Sequence, residues 1–349
     1  MAGVTYKCPN CGAYLTFDPE TQQWKCPFCS SAFPETELKG KAEAFQKEAD
    51  KEAEQSSGAQ VVYHCPSCGS EIMTDETTVA THCYYCHSPV VLQGKLTADM
   101  KPDEVLPFTI GREKAIEEIS EWIRTRKFVP KKFFSKAQIQ EMSGVYYPHF
   151  VSECQTEGVL DGEATTSDVF DEGKYVVTNT RHYHVRREGR FVFKDILRPA
   201  LSKANRKLTE GVHPFPLENA KPFSGAFLSG FLAERRDLEA DSYRQEIEQE
   251  LQGYMNSMLR DTASQYQTCS AITTAAVKKI KTKYVLLPTW VLTYPNKKNK
   301  DEPYYYVMNG CTGQVCGKLP VDMGRLWRHG LLAGLIVAAL YCMLAYFLF

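Results

Sequence analysis

At 349 residues, with 41 Lys and Arg against 42 Asp and Glu, the chain carries a formal net charge of −1. That length allows two or three domains with a real core, and the near-neutral balance argues against a dedicated polyanion binder. Of thirteen cysteines, eight fall in C-x-x-C pairs, which in a cytosolic setting points to metal ligation and away from a disulfide framework.

The four pairs form an internal repeat. Cys8-Pro-Asn-Cys11-Gly and Cys26-Pro-Phe-Cys29 are echoed by Cys65-Pro-Ser-Cys68-Gly and Cys83-Tyr-Tyr-Cys86, with fourteen residues between knuckles each time. Zinc takes four tetrahedral ligands and favours thiolate sulfur, so the spacing predicts two closed zinc ribbons, residues 1–34 and 63–94, and two Zn²⁺. Gly12 and Gly69 stand where a knuckle turn needs positive φ. Four thiolates leave no open position for water, which makes these metals structural. His64, His82 and His87, beside the ligands, read as surface histidines. Residues 35–62, rich in Glu, Lys, Ala and Gln and closing on Gln55-Ser-Ser-Gly58, read as a charged helical linker without a core.

Residues 95–324 have the composition of an α+β cytosolic domain. Ile116, Ile119 and Ile123 recur at helical spacing through Arg112–Lys127, with Pro130 as the stop. Val145–Thr156, Tyr175–Arg187 and Arg190–Ile196 are rich in β-branched and aromatic residues, the last two joined at Glu188-Gly189 as a predicted hairpin. A second helix is expected from Ser242 to Ala263, with Ser242 and Gln245 as a capping box. Its apolar stripe is Ile247, Leu251, Tyr254, Met255, Met258 and Leu259. Tyr284–Tyr294 and Tyr304–Met308 read as strands leading through the turn Asn309-Gly-Cys-Thr-Gly313 into a return strand near Gln314–Leu319. Val145–Val151 and Val285–Val291 share a strand-Pro-x-aromatic-Val pattern that suggests a duplicated β unit. Pro148 and Pro288, unable to donate to a ladder, belong at bulges or edges.

From Gly330 to Phe349 the sequence is uncharged and free of proline. A helix of that length covers roughly 30 Å, so residues 325–349 are expected to be a single C-terminal membrane anchor. Arg325, Arg328 and His329 precede the run and no signal peptide opens the sequence, which by the positive-inside rule places the bulk of the chain in the cytoplasm. Gly330, Gly334, Ala338 and Cys342 fall on one helical face, the small-residue spacing that lets a second membrane helix approach, from another copy or a partner subunit. The densest positive stretch is Arg181–Lys207. Arg181, Arg186, Arg187 and Arg190 are candidates for anionic lipid contact, with a solvated sheet face paired to acids elsewhere as the alternative. His182, His184 and Arg186 alternate onto one face.

The ribbons resemble that of transcription factor IIB and the double ribbons that open many bacterial membrane proteins. The first resemblance implies nucleic acid. Residues 1–95, however, hold seven lysines, no arginine and twelve carboxylates, a poor match to a phosphate backbone, so protein contact is favoured. The sequence contains no P-loop, no dinucleotide fingerprint, no nucleophile elbow and no H-E-x-x-H, and is expected to be non-catalytic.

Together with Val105–Phe108, Gly144–Pro148, Lys221–Glu234 (KPFSGAFLSGFLAE), Leu287–Trp290 and Met308–Gly313, the ribbons resemble the zinc-ribbon membrane proteins of the Bacillus YdjG type. That resemblance implies work with envelope-stress proteins, namely a PspA-like membrane-remodelling protein and an SPFH (flotillin-like) protein. The expected function is therefore a membrane-anchored adaptor that recruits such partners, as a homo- or hetero-oligomer. A membrane-attached nucleic-acid-binding or transcription regulator is the alternative.

Overall fold

The computed structural model describes residues 6–38, 62–64, 71–73, 78–82, 89–91, 101–130, 142–202, 204–294, 304–317, 319 and 321–348. Cys65, Cys68, Cys83 and Cys86 and most of the expected linker lie outside them. Three short strands, β1 (Thr16–Asp18), β2 (Gln23–Lys25) and β3 (Ala32–Phe33), make a small antiparallel sheet under the first two knuckles. Farther on, β4 (Val62–His64) pairs with β5 (Glu71–Met73), and β6 (Thr78–His82) with β7 (Pro89–Val91).

After β8 (Glu104–Val105) and α1 (Arg112–Arg124) come two very long strands, β9 (Ser143–Glu172) and β10 (Tyr175–Pro199). They form one antiparallel hairpin running from Glu172↔Tyr175 to His149↔Pro199. Its turn holds Gly173 at φ +64°, a left-handed conformation that glycine adopts without strain. The hairpin expected at Glu188-Gly189 is therefore corrected: Gly189 lies opposite Gly158 in mid-ladder. Alternation of outward and inward side chains continues unbroken through those two residues, and that period of two outweighs the turn signal.

The remaining elements are α2 (Arg206–Glu210), β11 (Lys221–Pro222), β12 (Leu232–Glu234), α3 (Arg244–Asp261), β13 (Thr268–Tyr294), β14 (Tyr304–Asn309), β15 (Val315–Gly317) and α4 (Met323–Leu348). β13 pairs antiparallel with β9 from Thr268↔Thr165 to Val291↔Ser143, so β10, β9 and β13 form a three-stranded arm. On one face of the arm α3 packs Ile247 and Leu251 with Cys154, and Leu259 with Leu160, Ala164 and Val185; Met255 is buried as well, while Tyr254 and Met258 stay exposed. The expected capping box is also corrected. Tyr243 is the N-cap and makes no side-chain cap bond, because a 3₁₀ turn over Ala240–Tyr243 turns the Ser242 hydroxyl back to the Glu239 carbonyl.

Pro148 and Pro288 sit in interior strands, paired across the β9–β13 ladder as Pro148↔Leu286 and Pro288↔Tyr146. Each marks a changeover of neighbours on the opposite side. β12 runs parallel beside Val145 and Tyr146, and β10 takes over at His149. Likewise β8 runs parallel beside Val285 and Leu286, and β14 takes over at Thr289. The proline carbonyls face these junctions, accepting from Ala200 N–H and Gly310 N–H at 2.9 Å each. The missing N–H therefore falls in a gap between strands and removes no ladder bond. Around this crossing Phe108 stacks on Phe231 at 4.3 Å and packs against Tyr146 and Trp290, forming the aromatic centre of the main core.

Candidate metal centre

The two knuckles have the same backbone geometry. Cys8 N–H donates to Ala13 O at 2.7 Å and Gly12 N–H to Cys8 O at 2.9 Å. Cys26 N–H donates to Ser31 O at 2.8 Å and Ser30 N–H to Cys26 O at 3.0 Å. Gly12 has φ +75° and Ser30, its counterpart, φ +57°. A serine there carries the strain of a left-handed backbone that glycine avoids. Ser30→Gly should accordingly stabilise the first ribbon by about 0.5–1 kcal/mol in denaturant melts of the metal-loaded protein; an unchanged or lowered midpoint would show that the turn is unstrained.

This geometry brings four sulfurs together. Cys8 Sγ lies 3.5 Å from Cys29 Sγ, Cys11 Sγ lies 3.4 Å from Cys26 Sγ and 3.7 Å from Cys29 Sγ, and all four fall within 4.8 Å of one another. A tetrahedron with Zn–S arms of about 2.3 Å has edges of roughly 3.8 Å, so the set fits a tetrathiolate zinc. The Ser31 hydroxyl, 3.3 Å from Cys29 Sγ, and the Ser31 backbone hold that thiol below its ordinary range, while the adjoining thiols of Cys26, Cys29 and Cys8 push Cys11 up. Cys8 and Cys26 are buried and Cys11 and Cys29 exposed, so the centre sits at the skin of the fold. Beside it Phe28 is 79% exposed.

The buried side of the ribbon is fused to the body. Trp24 Nε1 donates to Ala226 O at 3.0 Å, Phe17 N–H to Ser229 O at 3.0 Å, and the Ser229 hydroxyl to Leu15 O at 2.5 Å. The Phe17 and Trp24 rings each meet Phe227 at 5.3 Å. Leu15, Phe17, Trp24 and Cys26 thus belong to the same hydrophobic cluster as Phe108 and Trp290. Three residues later, β12 pairs with β6 through Ala233↔Ala80. The Lys221–Glu234 segment, distinctive in sequence but without an evident role there, grips the first ribbon with one end and the strand after the third cysteine pair with the other.

The arginines considered for lipid contact lie on the arm and are engaged. Arg181 pairs with Asp168, Arg186 with Asp161 and Glu188, and Arg190 with Glu157, while Arg187 donates to the Arg186 carbonyl. His184 sits between Asp161 and Glu163 at 3.3 and 3.4 Å. Nearer the crossing, a recess of about 660 Å³ between β10, α2 and α3 is lined by Arg198, Arg206, Glu210, His213 and Glu250. Its charges pair internally, Arg198 with Glu246 and Glu250, Arg206 with Glu210 and Glu246. They clamp α3 to β10 and α2. Cys311 and Cys316 do not meet across the β14–β15 hairpin. Cys316 faces Val307, Cys311 Sγ turns to Pro107 O, and burial pushes the Cys311 thiol up to about 11.

α4 is long and apolar enough over Met323–Leu344 to cross a membrane. Gly330, Gly334, Ala338 and Cys342 follow one another at four-residue spacing along it, and a Cβ built at either glycine meets nothing within 4 Å. No protein-family model matches the chain, and no solved structure does. Among curated proteins it is 28% identical over 338 residues, 96% of either chain, to the uncharacterized protein YdjG of Bacillus subtilis (strain 168). The likeness to YdjG covers nearly the whole length of both chains.

Proposed function

We propose that this chain is a non-catalytic membrane adaptor, anchored by α4 with its body on the cytoplasmic side, that presents its zinc ribbons to partner proteins. A PspA-like and an SPFH (flotillin-like) protein are the partners this reading names, and Cys65, Cys68, Cys83 and Cys86 are the ligands of its second zinc. What carries it is the sharing of one core by the ribbon and the body. Trp24 is bonded to Ala226, Phe17 packs on Phe227, and α4 starts on the same body, so the ribbon's outer face is held at a fixed station above the anchor. A closed tetrathiolate offers rigidity and shape, which suit docking better than chemistry.

Deleting residues 1–95 would tear Leu15, Phe17 and Trp24 out of the core, so the exposed face is the place to intervene. Exposed aromatics on rigid supports are typical anchors of protein interfaces. Phe28→Asp should leave zinc content and melting unchanged and reduce recovery of co-purifying proteins from solubilised membranes by about tenfold or more. Undiminished recovery would remove the ribbon from the docking role.

A further inference from the structure

The turn after α1 is pinned to the start of α4. Asp322 N–H donates to Phe128 O at 2.7 Å, Arg325 Nη1 donates to Val129 O at 3.1 Å, and the Phe128 and His329 rings meet edge-on with centroids 5.5 Å apart. Asp322 in turn caps α4, accepting from Arg325 N–H at 3.1 Å. Val129 packs on the main core, so the turn is tied on both sides.

His329 is the last residue before the uncharged run that begins at Gly330. With a rise of about 1.5 Å per residue, Phe128 stands within a turn or so of the level where hydrocarbon begins when α4 spans a bilayer. The same turn is basic. Arg124, Arg126 and Lys127 are exposed, and Arg328 and Trp327 add an exposed cation and an exposed aromatic from α4. The carboxylates close by in sequence are Asp322, paired with Arg325 at 3.3 Å, and Glu121 on α1. Among the described residues Arg124 and Lys127 have no carboxylate partner, and Arg126 lies over the Trp122 ring at 5.0 Å. Arg181, Arg186 and Arg190 of the arm, by contrast, are matched to acids on β9.

We propose that Arg124, Arg126 and Lys127, with Arg328 of α4, form a docking surface for anionic phospholipid headgroups. The proposal rests on the anchored reading of α4. Electrostatic attraction to a charged leaflet reaches only about a Debye length, roughly 8 Å at physiological ionic strength, and the contacts of Phe128 and Val129 hold these cations inside that range. The turn then fixes the tilt of the whole body: a helix alone leaves the body free to swivel, whereas a second basic contact beside it does not.

The test uses the full chain reconstituted in phosphatidylcholine vesicles with and without phosphatidylglycerol. Trypsin cleavage after Arg124, Arg126 and Lys127 is followed by mass spectrometry and normalised to cleavage after Lys279 and Lys281 on the arm. Cleavage at the turn should be about tenfold slower in the anionic vesicles, and the difference should vanish at high salt. Equal normalised rates in both vesicles, with α4 resistant to carbonate extraction, would overturn the headgroup site and leave the anchor standing. Extraction of the chain by carbonate would overturn the anchor and this site with it.

Discussion

Replacing Cys26 by Ala should remove one zinc per chain and unfold much of the body with it. Cys26 is buried beside Trp24, and both belong to the cluster that contains Phe108, Tyr146 and Trp290. A ribbon of three strands of two or three residues cannot hold itself together, so its folding energy comes from the metal. A structural zinc contributes on the order of 10 kcal/mol, comparable with the 5–15 kcal/mol that stabilises a typical domain. Once the tetrahedron opens, Trp24 and Phe17 lose their platform and Phe227 loses theirs. Loss of well over 3 kcal/mol is therefore expected, enough to lower the melting temperature by roughly ten degrees or more. The measurements are zinc released to a colorimetric chelator and near-ultraviolet dichroism of the full chain in detergent. Cys11→Ala, at an exposed ligand, should release the metal while sparing the buried packing of Cys26, and should destabilise less. Release of zinc with the aromatic signal and a cooperative melt intact would show that ribbon and body fold separately.

Asn309→Ala is the second large effect, and it should leave the zinc in place. Asn309 is fully buried and makes four hydrogen bonds. Its Nδ2 donates to Val212 O at 2.9 Å and Pro214 O at 3.0 Å, and its Oδ1 accepts from Cys311 N–H at 2.8 Å and Thr312 N–H at 3.1 Å. One side chain thus closes the β14–β15 loop and ties it to the segment after α2. Alanine leaves two donors and two acceptors unmatched, at about 1–3 kcal/mol for each group that water cannot reach. An expected loss of about 3–5 kcal/mol follows, read as a lower denaturant midpoint with unchanged metal content. Asn309→Asp keeps the loop acceptor but aims a carboxylate at two carbonyls, and should be no better. A loss below about 1 kcal/mol in the alanine variant would mean that water takes over the bonds.

Short-range features of the chain are legible in its sequence alone. The cysteine spacing named the ligands of the first centre, and Cys8, Cys11, Cys26 and Cys29 converge as the spacing requires. Of the apolar stripe on α3, Ile247, Leu251, Met255 and Leu259 are buried and Tyr254 and Met258 are not. Asn309-Gly310 marked a turn correctly, but its propensity says nothing of the side chain, which turns inward to bind a loop 95 and more residues earlier. Glu188-Gly189 had the composition of a turn and is strand, because the β9 partner beside it holds the extended backbone through both residues. The pairing of Arg181, Arg186 and Arg190 is invisible in sequence, because the β9–β10 register alone sets Asp168, Asp161 and Glu157 beside them.

By itself, the sequence determined what periodicity, composition and ligand spacing can determine: a four-thiolate metal site, amphipathic helices, β-rich stretches and an apolar helix of membrane length. Tertiary structure decided which of these pieces share a core. It alone shows that Trp24 reaches the Ala226 carbonyl across 202 residues of chain, that Pro148 and Pro288 sit at strand changeovers, and that Phe128 meets His329 where the apolar helix begins. The physical reason is range. Helical and strand patterns arise from neighbours a few residues apart, whereas the docking of a ribbon on a body depends on complementary surfaces that no local window of sequence contains.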